Sequence, residues 1–546
     1  FDYIVVGAGP TGIMTAMGLA KAGFSTLIIE AGTDNVSLNT TVPGLNFQSL
    51  EDEEIAWNYH VKHYPENTGK RQSVLYPRSS GVGGCSIHNA MIHVMANSRD
   101  FKQMVDLTKD EGWSEESFRK YYNRITFTDM MDVVPVMKVM NHFGPLNMAN
   151  LLSPDLKLID VIEQIVGKSL LTSFTSKGLN QLSEAGKAMT DIVGDMQVPY
   201  NADPIAHGGS RYGVREHLLE AKNLPITIWT NTLVSKVILD NERRAIGVEY
   251  LKGKHLYRAS PRSSQSDSGT PGVVHCRKEV ILSAGTFNTP QILMLSGIGD
   301  TEHLRQKGIK PLINLPGVGK NLHDRYEVSV NYELDSNFKV TEKCLYSTDA
   351  SKDPCLKQFL EEGRGPYASN GILSSRLSKS SDNLEEADLF TLTAAAYFTG
   401  YRAGMLEDIL NKKNTMTMLV LKAHGNNRAG KVQLNSKNPR DMPDINFNYF
   451  EEGADKDLPA IVKGIKDARQ RLGSLNSGVR ELLPGPQVKT DDQIKEYVKN
   501  TAWGHHACGT SRMGTDKMSV IDTKFRVHGV SGLRVADLSI FPNLPG

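Results

Sequence analysis

The chain has 546 residues, more than one ordinary domain holds, and division by about 150 residues gives three to four units that large α/β folds often reduce to two. Hydrophobic residues are 39% and charged residues 23%, a globular usage that excludes a disordered, collagen-like or disulfide-scaffold chain. With 62 Lys and Arg against 61 Asp and Glu, the formal charge of +1 leaves no basic footprint for nucleic acid or an anionic membrane.

Residues 3–6 (YIVV) read as a buried strand, residues 7–12 (GAGPTG) as a turn, and the following residues as a helix that ends at Gly23. Pro10 suits a first helical turn, where the N–H it lacks is unpaired anyway, and Gly23 suits a C-terminal cap. With residues 27–30 as the next strand this is a βαβ unit, so a parallel sheet is expected. A chain that opens directly on a strand, with no charged n-region and no run of 18 apolar residues, reads as soluble and as processed or trimmed at its start. Residues 226–229, 234–239, 245–250 and 273–282 are β-branched and strand-like; residues 290–295 and 301–307 read as helical. The stretch 101–207 reads as helices and loops, with apolar spacing of three and four over 156–166 and 178–196. Residues 260–272 (SPRSSQSDSGTPG) read as a low-complexity, mobile loop between two strands. Further strands are expected at 415–424 and 431–434, within a candidate second domain.

The five cysteines, Cys85, Cys276, Cys344, Cys355 and Cys508, are too few and scattered for a disulfide framework, and no CxxC pair suggests zinc, so no metal site is expected. Cys344 and Cys355 are near enough in sequence to close a short loop, and two unrelated thiols fit equally well. Asn35-Val36-Ser37 and Asn39-Thr40-Thr41 are glycosylation sequons that lean towards a secreted protein, although the sequence leaves the compartment open.

A lone GxGxxG is a weak signal, but Gly7, Gly9 and Gly12 follow a strand, open a helix and precede Glu30 at the end of the second strand. That context fits a dinucleotide site: a tight turn at the first glycine, close backbone approach to a pyrophosphate at the second, close helix packing at the third, and an acid for ribose hydroxyls. NAD and FAD both satisfy it. A second glycine cluster over 78–90 (RSSGVGGCSIHNA) is by composition a flexible loop, and its N–H groups also suit a nest for phosphate or flavin oxygens. A third runs over 283–299 (SAGTFNTPQILMLSGIG). The adjacent His505 and His506, taken alone, are ordinary packed histidines as readily as a catalytic pair.

Taken together, the three clusters, with residues 315–324 (LPGVGKNLHD) and 532–537 (GLRVAD), resemble the glucose-methanol-choline (GMC) oxidoreductases, FAD enzymes that oxidise alcohols. The resemblance spans nearly the whole chain and is loose over 120–205 and 340–500. It implies an ADP-binding set of Gly7, Gly9, Gly12 and Glu30, with Val234 at the adenine and Asp537 near the ribityl-pyrophosphate. It also implies a flavin loop comprising Arg78, Gly83, Gly84, Ser86, His88, Asn89 and Ala90. Residues 504–514 (GHHACGTSRMG) resemble the active-site segment, with His506 on the catalytic histidine and His505 beside it; on an extended strand the two would face opposite ways and only one would meet the flavin. The loop's GGCSIHN resembles the choline-oxidase-like version, in which the residue matching His88 carries the flavin covalently; a histidine packed beside noncovalent FAD fits as well. The second histidine or asparagine that family members usually carry is expected beyond Gly546.

The expected fold is α/β: a Rossmann-like FAD-binding domain from residues 1–120, 206–323 and 501–546, and an α+β substrate domain with an antiparallel sheet from 121–205 and 324–500. The expected reaction is oxidation of a small-molecule alcohol to a carbonyl, by hydride transfer to flavin N5 with His506 as acid-base residue and electrons passed to oxygen or another acceptor. A lyase or cyclase on the same FAD scaffold, and a noncatalytic FAD-binding protein, are the alternatives. An aromatic cage for a quaternary ammonium cannot be assembled by inspection from Trp57, Tyr59, Tyr397 and Phe398.

Overall fold

The computed structural model describes residues 1–92, 96–125, 210–473 and 478–546. Its centre is a parallel sheet in the order Leu533–Val535, Glu279–Leu282, Tyr3–Val6, Thr26–Ile29, Ile226–Trp229. The N-terminal strand therefore sits mid-sheet with neighbours on both sides, and the chain leaves its C-terminal end at a topological switch point, where α/β sheets bind ligands. Pro10–Lys21 is helical as its composition requires: Pro10 opens it, and Gly12, Ile13, Ala16, Met17 and Ala20, at three- and four-residue spacing, bury one face. A three-stranded antiparallel sheet of Thr232–Leu239, Ala245–Lys252 and Thr270–His275 flanks the parallel one.

The second large sheet is antiparallel throughout, in the order Ile372–Ser378, Leu389–Ala394, Thr415–Lys422, Tyr326–Leu334, Val479–Leu483. Helix Ala454–Gly473 covers one face, and its Leu458, Ile461, Val462, Ile465 and Leu472 share a core with Val328, Val330, Met418 and Val420. Each such side chain contributes about 1.5–3 kcal/mol on burial. The same core takes in Tyr59 and Tyr76 from the hairpin Ala56–Val61/Val74–Ser79 and Phe287 from helix Gly285–Leu295, whereas the parallel sheet packs its own side chains in separate clusters.

Three expectations about elements need correction. Residues 273–282 are two strands, Thr270–His275 and Glu279–Leu282, which belong to different sheets and are separated by Cys276, Arg277 and Lys278. The loop from residue 260 therefore ends at Gly269, because Thr270, Pro271 and Gly272 already pair with Lys252, Leu251 and Tyr250. The helix expected at 290–295 begins at Gly285 and contains Pro290 in its interior. Helices Ser98–Thr108 and Glu115–Ile125 agree with the reading of the stretch from residue 101 as helices and loops, while the segments 156–166 and 178–196 lie outside the described residues. Cys344 and Cys355 are joined in a disulfide that closes a short loop.

Candidate active site

The glycine turn has the geometry that its spacing implies. Gly7 has φ +103°, and a Cβ there would stand 2.4 Å from the Ser283 carbonyl oxygen; at Gly12 it would stand 2.1 Å from the Gly7 oxygen. At Gly9, by contrast, a Cβ would meet nothing within 4 Å, and no side chain caps the helix that follows. An uncapped helix N-terminus over open space is a cradle for an anionic group such as a pyrophosphate. Glu30 is buried and its carboxylate accepts from three N–H groups, those of Ala8 (2.8 Å), Gly32 (2.8 Å) and Gly81 (3.0 Å). Three of its roughly four acceptor positions are thus taken up in tying the two glycine loops together, which leaves about one for a ribose hydroxyl. Val234 is 5% exposed with its side chain in the core, so what it offers a ligand is backbone. Asp537 accepts from Gly285 N (2.9 Å), Thr289 Oγ1 (2.6 Å) and Ser539 N (2.8 Å), fixing the start of helix Gly285–Leu295.

The second glycine loop docks on the first through Gly83 N to Ala8 O (2.8 Å), and Ser86 Oγ closes it on Gly83 O (2.7 Å). Arg211, which sequence reasoning missed, clamps its far end: its guanidinium donates to Ser86 O, Asn89 Oδ1 and Asn89 O. Ala90 O accepts from Asn370 Nδ2 (2.7 Å). His88 is buried beside Arg78 and Arg211, and burial together with these two cations pushes its imidazole down to about 3, so it is neutral.

The histidine pair departs from the expected alternation. Two isolated antiparallel bridges, Glu327 with Trp503 and His323 with Cys508, enclose three residues on one segment and four on the other, so the histidine segment carries one surplus residue, as in a β-bulge. The bulge turns both rings to the same side. Their centroids lie 3.9 Å apart, and the Nδ1 atoms of His505 and His506 stand 3.4 and 3.0 Å from Glu327 Oε1. None of these three atoms is aligned as a hydrogen bond, so a carboxyl and two imidazoles face one another unpartnered. Glu327 is 1% exposed, and burial, reinforced by Asp324, raises its carboxyl well above the ordinary value. Both imidazoles are pushed well below 6.5, chiefly by desolvation, with Arg78 and Arg325 adding to it. The neutral imidazole, able to accept a proton, is the resting form.

Trp503 stacks on His505 (5.6 Å, 20°) and Tyr401 meets it edge-on (5.0 Å). The aromatic residues at the histidines are thus Trp503 and Tyr401, with Phe398 behind them, whereas Trp57 and Tyr59 pack elsewhere with Tyr257. Sequence reasoning missed Glu327, Tyr76, Tyr401 and Trp503. The five residues 323–327 carry two acids, a signal that could have drawn attention to Glu327, but only the bridge to Trp503 brings it to the histidines.

A parallel dinucleotide sheet with an open, uncapped glycine cradle and a cluster of free-base imidazoles defines a cofactor-dependent oxidoreductase. GMC oxidoreductase sequence profiles match residues 1–327 and 426–546, and the chain belongs to that family of FAD-dependent enzymes acting on CH–OH donors. It is 29% identical over 568 residues to an oxygen-dependent choline dehydrogenase of Yersinia pseudotuberculosis serotype IB (strain PB1/+), covering 100% of this chain and 90% of that one. The counterpart in Escherichia coli O127:H6 (strain E2348/69 / EPEC) is 28% identical, with 100% and 92% covered. Among solved structures, a formate oxidase superposes with TM-score 0.77 at 21% identity over 100% of this chain and 94% of that chain. A fungal aryl-alcohol oxidase gives 0.71 at 20% identity over 100% and 95%. These structures show the same fold. Among the described residues no helix is long and apolar enough to cross a membrane.

Proposed function

We propose that His506 is the base that takes the hydroxyl proton of an alcohol as the substrate is oxidised to a carbonyl compound. The observation that carries this is the convergence of two free-base imidazoles on the buried Glu327 carboxyl. FAD, when bound, supplies the hydride acceptor. Gly7, Gly9 and Gly12 would hold its pyrophosphate, Glu30 its ribose, and the loop from Arg78 to Ala90, clamped by Arg211, its flavin. A protonated alcohol is a poor hydride donor, so removal of its proton by a positioned imidazole is worth about 10²–10⁴ in rate. Glu327 Oε1 lies 3.0 Å from Nδ1 of His506, and a small turn of the ring on substrate binding would let an Nδ1–H donate to it, leaving Nε2 to accept the substrate proton. His505, stacked on Trp503, backs the His506 ring.

We take the cofactor domain to be residues 1–120, 206–323 and 501–546, since every strand of the parallel sheet falls within them. The GGCSIHN pattern and the neutral, buried ring support His88 as a covalent flavin attachment. Choline and similar cationic alcohols head the substrate panel, because the named relatives act on choline and because Trp503 and Tyr401, rings that favour a cation, lie beside the histidines. The oxygen dependence of these choline dehydrogenases favours oxygen as acceptor. The test is an anaerobic panel of alcohols mixed with purified yellow enzyme: bleaching of the flavin by at least one supports the reading, and a flavin that stays oxidised with every alcohol while dithionite reduces it favours a lyase or a binding protein.

A further inference from the structure

A loop with one surplus residue holds a single shape only if its backbone N–H groups are held, and two side chains do this for the histidine segment. Asp324 Oδ1 accepts from the N–H of His506 (2.9 Å), and the Tyr76 hydroxyl accepts from the N–H of Ala507 (2.8 Å). That hydroxyl in turn donates to Asp324 Oδ2, so phenol and carboxylate form one clamp. Both residues are buried, at 1% and 5% exposure, which leaves no bulk water to replace either group. The fit is close: a Cβ on Gly504 would stand 2.7 Å from the Asp324 carboxyl carbon. The Tyr76 ring is fixed independently, stacked on Phe447 (5.4 Å, 20°), edge-on to Phe287 (5.2 Å), with the Arg78 guanidinium 4.7 Å above it. Tyr76 also belongs to the strand Val74–Ser79, which runs directly into the second glycine loop.

We propose that Tyr76 and Asp324 are positioning residues that set the alignment of His506 with the cofactor loop, acting through the backbone of His506 and Ala507 and not on the reacting atoms. This rests on His506 being the base. Without the clamp the N–H of Ala507 is left buried and unpaired, the loop relaxes, and the base drifts from its line of attack. Misplacement on the scale of 1 Å costs roughly 10²-fold in rate.

Tyr76→Phe, which keeps the ring packing, tests this in the FAD-loaded enzyme. The limiting rate of flavin reduction at saturating alcohol should fall about 10- to 100-fold while the apparent alcohol dissociation constant and the FAD content stay within about threefold. Hydrogen–deuterium exchange should rise in the peptide covering residues 504–508 and stay unchanged in helix Ala454–Gly473. Asp324→Asn, which keeps an acceptor for His506 N, should retain more activity than Asp324→Ala, and it serves as the test if Tyr76→Phe fails to fold. A normal rate with unchanged exchange overturns the proposal, as does a slowed rate with unchanged exchange, which would place Tyr76 on the reacting atoms. If no alcohol reduces the wild-type flavin, the functional reading fails while the exchange measurement still decides whether the clamp exists.

Discussion

Gly9 and Gly12 separate the two tasks of the glycine turn. Gly9 has φ −76° and ψ 178°, an extended conformation open to any residue, and a Cβ there meets nothing within 4 Å. Gly9→Ala should therefore leave the empty chain intact, or about 0.4–1 kcal/mol more stable through loss of unfolded-state entropy. Gly12→Ala places a methyl group 2.1 Å from the Gly7 carbonyl oxygen and 3.2 Å from Ser283 Cβ; the nearer contact is backbone inside a tight turn, so the strand-to-helix turn itself must open. Overpacking of this kind costs about 1–3 kcal/mol. Towards FAD the order reverses in kind: in Gly9→Ala the added methyl occupies the space that the pyrophosphate needs, and loss of one charge-assisted hydrogen bond, about 1.5–3 kcal/mol, weakens binding by about 10- to 150-fold. Both variants are best made in a His88→Ala background, so that covalent attachment does not mask affinity. The assay is FAD titration of apoprotein by flavin fluorescence, alongside urea unfolding of the same apoprotein. Wild-type affinity in Gly9→Ala, or unfolding as early as in Gly12→Ala, would refute the cradle.

Acid precipitation of the purified holoenzyme should leave flavin on the protein pellet, and His88→Ala should release all of it to the supernatant; flavin free in both disproves the tether. Glu327→Gln should keep flavin reduction within about tenfold, since burial favours the uncharged carboxyl and the amide oxygen can still face Nδ1 of His506, whereas Glu327→Ala should cost more. Equal, large losses in the two variants would mean that an ionised carboxylate is required. Asp324 is raised to about 6 by burial, whereas burial holds both imidazoles well below their ordinary value. The acid limb of flavin reduction should therefore fall near pH 6, as Asp324 gains its proton and ceases to hold His506 N as a carboxylate. Asp324→Asn should be slower but flat through that range; a limb that survives in it belongs to another group.

The opening βαβ unit was legible because its geometry is local. The strand, the turn with Gly7, Gly9 and Gly12, the helix opened by Pro10 and the acid at Glu30 lie within thirty residues, and each is dictated by its own backbone geometry. The antiparallel sheet was legible only as scattered strands, since its order joins Tyr326–Leu334 to Thr415–Lys422 and Val479–Leu483 across long separations. The disposition of His505 and His506 was misread for a physical reason. Alternation holds for a regular strand, and the surplus residue is visible only once the bridges to Glu327 and His323 are known. Glu327, Tyr76 and Arg211 escaped notice likewise, because their partners lie more than a hundred residues away in sequence.

Stopped-flow, anaerobic reduction of FAD-loaded His506→Ala by the best alcohol tests the central claim most directly, with His505→Ala run beside it. The account predicts a loss of about 10²–10⁴ in rate for His506→Ala with flavin content unchanged, since the proposed dinucleotide contacts lie in other segments. For His505→Ala it predicts a smaller but measurable loss, because that ring backs the base at 3.9 Å. A near-normal rate in His506→Ala with flavin fully bound would contradict it.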